Sequence, residues 1–163
     1  MKKLTSLEKL NIYLEQGYLF HGSYIGDITI LEPRQTNNKD EDDSFNIDNA
    51  IYATDNITTA IIFGVVDRSY LHEDIKKFTW SVNWSDENEN FEVTAKVHES
   101  WREYIEKKGI GYVYVLPPDT FIEVQGCQRK SKVAVKPIDK IIVTLNDYYK
   151  SGGKLVFMTV DKW

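Results

Sequence analysis

Apolar residues recur at three- and four-residue spacing over positions 5–16, where Leu7, Leu10 and Leu14 share one side of a predicted helix. Thr5 and Glu8 stand at capping-box spacing ahead of that stripe, and Gly17 can end it. Residues 18–21 are short, aromatic and β-prone, and Gly22 and Ser23 predict a turn or a close backbone approach directly after them. A second extended piece is expected over 28–31, closed by Pro33. Positions 50–53 read as a buried strand, after which Thr54, Asp55 and Asn56 offer a cap to a helix over 58–66. That helix is apolar almost all round, through Ala60, Ile61, Ile62, Phe63, Val65 and Val66, so it has to be buried.

Large and small or polar residues alternate over 78–84 and again over 91–97, with a polar turn between them, which predicts a hairpin of half-buried strands. A short helix over 99–108 ends at Gly109, and a strand over 112–116 is stopped by Pro117 and Pro118. Beyond it, 120–124, 132–135, 141–145 and 154–160 suit strands, broken by Pro137, a short helix over 146–150 and two glycines, Gly152 and Gly153. Helices and strands do not alternate regularly, which excludes a doubly wound parallel sheet. The expectation is a single α+β domain over 1–163, with a split, mainly antiparallel β-sheet core and short flanking helices. Residues 36–48 carry an acidic run and little to bury, so they read as a loop, either a lid over a ligand or a solvated excursion.

Composition adds exclusions. With 163 residues, 42% hydrophobic and 13% aromatic, the chain can fill one core without a metal or a disulfide. One cysteine, Cys127, cannot form an internal bridge, and between Gly126 and Gln128 it reads as a small, inert filler. His21, His72 and His98 are scattered, so no metal site is expected; a phosphate-cradling glycine loop and a nucleophile elbow are also missing. The longest apolar run, around 60–66, falls far short of the roughly 20 residues that cross a bilayer, so no membrane partner is expected. The charged, mixed amino end favours a cytoplasmic protein. A net charge of −5 gives no global support to nucleic-acid binding. The one concentrated basic stretch, 128–132 with Lys136 and Lys140 beyond it, is expected to be a solvated strand edge or loop.

His21 ends an aromatic strand and is followed by Gly22, where backbone groups can read an amide edge-on; a histidine so placed is also a common structural hydrogen-bonder. Tyr52, in the buried strand ahead of a capped helix, would by itself be a core aromatic. Together, Tyr18-Leu19-Phe20-His21-Gly22-Ser23 and Ile51-Tyr52-Ala53-Thr54, followed by a helix containing Ala60, resemble the first two signature strands of the ADP-ribosyltransferase superfamily. The nearest flavour is the small bacterial members with a His-Gly-Thr/Ser strand, a group that includes rifampin ADP-ribosyltransferases and RNA 2'-phosphotransferases. The stretch 112–118, then 121–137 with Val135-Lys136-Pro137, is similar to the last block of such relatives.

The resemblance implies an NAD-binding protein in which His21 meets the nicotinamide-side ribose and the Gly22 backbone pairs with the carboxamide. Ser23 would flank that site, and Tyr52 would stack on the ring. It also implies a third catalytic position, where relatives carry a glutamate about three residues before a serine. Here Gln128 precedes Ser131 at that spacing, with Gln125, Glu123 and Asp119 nearby. Glutamine can hold a ribose hydroxyl but supplies no charge to an oxocarbenium-like state, a loss of two to three powers of ten in rate (roughly). Two readings follow: transfer of ADP-ribose to a protein, nucleic acid or small molecule, or a catalytically silent nucleotide-binding or protein-interaction module on the same fold. A third, an RNA-processing phosphotransferase, calls for several site arginines. The chain has only Arg34, Arg68, Arg102 and Arg129, none inside the His21 or Tyr52 blocks.

Overall fold

The computed structural model describes residues 3–35, 49–66, 80–85 and 91–159. Helix α1 (Ser6–Glu15) starts at the expected box: Thr5 accepts from the Glu8 backbone, and the Glu8 side chain accepts from that of Thr5. It leads into β1 (Leu19–Ser23), the short β2 (Arg34–Gln35), β3 (Asn49–Thr54) and helix α2 (Ile57–Val65). Then come β4 (Trp80–Ser85), β5 (Glu92–His98), a 3-10 turn (Glu99–Trp101) running into α3 (Arg102–Lys108), and β6 (Ile110–Leu116). The chain continues through β7 (Glu123–Gln125), β8 (Gln128–Ser131), β9 (Asp139–Thr144), α4 (Leu145–Lys150) and β10 (Lys154–Met158).

Seven strands form one antiparallel sheet, in the order β7-β8-β3-β1-β6-β9 with β2 against β3. A second sheet, β10-β5-β4, holds the expected hairpin, with β10 parallel to β5. The α+β class and the mainly antiparallel pairing are therefore as expected. No described helix is long and apolar enough to cross a membrane.

Several expected elements moved. Gly22 lies inside β1, so of its two readings the close backbone approach holds and the turn does not. The piece over 28–31 is not a strand; only Leu31 pairs, with Val135. The strand expected over 132–135 lies earlier, as β8, because Gln125 and Gln128 pair across a two-residue turn in which Gly126 has φ +57°. That placement corrects the reading of the basic run. β8 sits between β7 and β3, and Lys130 is only 6% exposed. The 36–48 loop lies outside the described residues.

Alternation along β1 sends Phe20 into the large core with α2 and the second sheet, and Leu19 into a smaller core with Ile51, Ala53, Tyr114 and Phe121. Helix α2, buried at every position but Phe63, settles onto bare backbone. A side-chain carbon added at Gly22 would stand 1.9 Å from Ala60 O, and one at Gly111 1.9 Å from Gly64 O. Gly22 is thus required by helix seating as well as by anything it presents to a ligand.

Gly22→Ala is expected to lower unfolding stability by about 1–3 kcal/mol, since backbone and not a pliable side chain blocks the new methyl. An unchanged denaturation midpoint would refute this account of the α2 seat.

Candidate functional site

β1 and β3 pair at a single position, Phe20 with Thr54. Past it the two strands part, and the His21 ring spans the opening: its Nδ1 lies 2.7 Å from Tyr52 O. A carbonyl only accepts, so Nδ1 carries the proton, and in the neutral ring Nε2 is left as an acceptor. Desolvation holds the imidazole below its usual range, Arg34 adds to that effect, and the bond to Tyr52 opposes it. His21 is therefore a neutral, oriented acceptor at the mouth of the split.

Cross-strand partners emerge on one face. Phe20 opposite Thr54 puts Thr54, and two residues earlier Tyr52, on the α2 side of the sheet. In β8, Gln128 stands opposite Thr54 and Lys130 opposite Tyr52, so both share that face. The expected trio thus divides. Tyr52 and Gln128 come from neighbouring strands on one face, whereas His21 leaves β1 on the other side and reaches Tyr52 through the backbone carbonyl. Ser23 Oγ accepts from Ile25 N at 3.1 Å, closing the turn after β1 and leaving its proton as the group it can offer.

Buried polar groups gather at this junction. Thr54 donates to Cys127 O at 2.8 Å, and Asn56 caps α2 by accepting from Thr59 N at 2.7 Å. The Thr59 hydroxyl donates to Asn56 Oδ1 at 2.7 Å and accepts from Trp84 Nε1 at 2.9 Å, which ties the second sheet to the start of α2. Gln128 Oε1 is buried with no hydrogen-bond partner. Such an acceptor is costly to leave unmet. The backbone carbonyl of Cys127 does the structural work here, while burial pushes its thiol up, away from a reactive thiolate.

The other acidic positions are elsewhere. Glu123 stands opposite Lys130 in β7, one strand further out, with its Oε2 3.7 Å from Lys130 Nζ. Asp119 is exposed in the segment before β7. Asp55 is taken by Arg129 at 2.9 Å. Ser131, three residues after Gln128, faces the opposite side, where its hydroxyl lies 2.8 Å from Thr120 Oγ1. Sequence reasoning missed Lys130 and the Asn56-Thr59-Trp84 chain. Lys130 was within reach, because a strand beginning at Gln128 puts position 130 on the same face; the chain to Trp84 needed the second sheet. Among the described residues, no group of acidic, histidine or cysteine side chains could hold a metal. No protein-family model, curated protein or solved structure matches this chain.

Because the folded-state imidazole titrates below the unfolded value of about 6.5, its stabilising effect is complete above that pH and is lost as pH falls toward the folded value. Urea midpoints at pH 7.5 and 5.0 should therefore fall further for the native chain than for His21→Asn. Equal declines would show that His21 is not held neutral.

Proposed function

We propose that the chain is an ADP-ribosyltransferase-like domain that binds NAD at the split between β1 and β3. The observation that carries this reading is the His21 latch across that split; Tyr52 and the unpartnered Gln128 acceptor lie on adjacent strands, on the sheet face opposite the His21 ring. A flat pyridine ring suits the face of Tyr52. His21 Nε2 can accept from a ribose hydroxyl.

Transfer of ADP-ribose to an acceptor would require stabilising positive charge on the ribose as nicotinamide leaves. Gln128 contributes no charge there, which favours the silent reading: a nucleotide-binding module with little or no transferase chemistry. The acceptor, whether protein, nucleic acid or small molecule, is needed only by the catalytic version.

One-dimensional proton NMR of NAD with the purified chain separates these outcomes. Line broadening that is lost in His21→Ala is expected, with little free nicotinamide over hours. Gln128→Glu should raise nicotinamide release by roughly two powers of ten, the worth of one well-aimed charge. NAD lines that stay sharp with the native chain would sink the cofactor assignment, and brisk nicotinamide release by the native chain would sink the silent reading.

A further inference from the structure

After β1 the chain crosses the sheet face that carries His21. His21 pairs with Tyr114 and Ser23 with Tyr112, so both tyrosines of β6 share that face. The middle of the crossing segment is tied to them. The Tyr114 hydroxyl donates to Ile25 O at 2.6 Å and accepts from Ile28 N at 3.1 Å. Gly26 lies so close to Tyr112 that an added side-chain carbon would stand 2.6 Å from a ring carbon, and Lys140 of β9 donates to Gly26 O. Because β6 and β9 lie on the far side of β1 from β3, these ties hold residues 25–28 away from the split.

The ends of the segment, by contrast, are fixed to both margins of the split. One end continues β1 through Ser23. The other is pinned by the two-way backbone pairing of Leu31 with Val135, and returns as β2 to pair with β3 at Ala50. Between these anchors, residues 24–30 belong to no helix or strand, and none is fully buried. Tyr24, Ile25 and Ile30 are 40%, 40% and 50% exposed. Few buried contacts mark a segment that shifts at low cost, and apolar side chains left in water favour an arrangement that packs them down.

We propose that residues 24–30 are a lid for the site at the split, held back over β6 and β9 by Tyr114 and Lys140, and that they close over a nucleotide bound at His21. The inference rests on the nucleotide reading above. Closure exchanges the ties at Ile25, Gly26 and Ile28 for burial of Tyr24, Ile25 and Ile30 against the ligand. Tyr114 and Lys140 thus set the affinity without touching the ligand, by stabilising the open arrangement.

Calorimetric titration with NAD tests this. Lys140→Met keeps the unbranched stem and removes the donor; it should tighten NAD binding about two- to tenfold, the worth of one exposed hydrogen bond. Tyr114→Phe removes two ties and should tighten binding at least as much. Lys140 is exposed, so its variant remains informative if Tyr114→Phe fails to fold. Ile25→Ser and Ile30→Ser leave the core intact and should weaken NAD binding by about three- to tenfold each. A simple structural clasp predicts the reverse for the ties. Affinity that falls on losing either tie, or that none of the four variants moves, would overturn the lid while His21-dependent binding still stands. If the native chain does not bind NAD, the nucleotide reading falls and the lid falls with it.

Discussion

Helix α2 can lie on the seven-stranded sheet only because the backbone beneath it carries no side chains. Gly22 in β1 and Gly111 in β6 meet Ala60 and Gly64 of the helix at distances that exclude even a methyl group. Close seating brings Ala60, Ile61, Ile62 and Val65 into the main core beside Phe20, Val113 and Val143. Burial of that apolar surface is the largest favourable contribution in a domain of this size. It also anchors the position of β3, since only Asp55 and Asn56 separate the strand from the helix. The parting of β1 from β3 beyond Phe20 therefore occurs against a fixed helix and not in a loose edge.

At that parting the backbone loses a ladder partner, and side chains take over. His21 supplies a donor to Tyr52 O, while Thr54 and Asn56 satisfy the turn into α2. The Asn56 cap is shared through Thr59 with Trp84, so the second sheet and the start of the helix are one hydrogen-bonded unit. Polar groups inside a core are tolerated when all are met. Gln128 Oε1, on the strand beside Tyr52, and Trp101 Nε1 are exceptions among the described residues. Lys130 shares the strand face of Gln128.

Local chemistry made much of this legible in the residues themselves. The capping box at Thr5 and Glu8, the cap at Asn56, the all-round apolar helix after it and the hairpin of β4 and β5 follow from spacing and periodicity alone. His21 and Tyr52 stood out together only through the resemblance to a known family; by position alone each reads as a structural strand residue. The stretch after Pro118 was harder. Its strands have three or four residues, and at that length alternation is too brief to set a register. A run rich in lysine reads as solvated until a neighbouring strand covers it.

By itself, the sequence determined the main helices and strands and the α+β class, because capping, periodicity and turn preference act within a few residues. Only the tertiary structure decided that β8 lies between β7 and β3, that Lys130 is buried opposite Tyr52, and that His21 closes the gap between two strands. The His21 latch and the pairing of β3 with β8 join residues 31 to 80 positions apart. Long-range pairing is selected by the fit of whole faces, which no local pattern encodes.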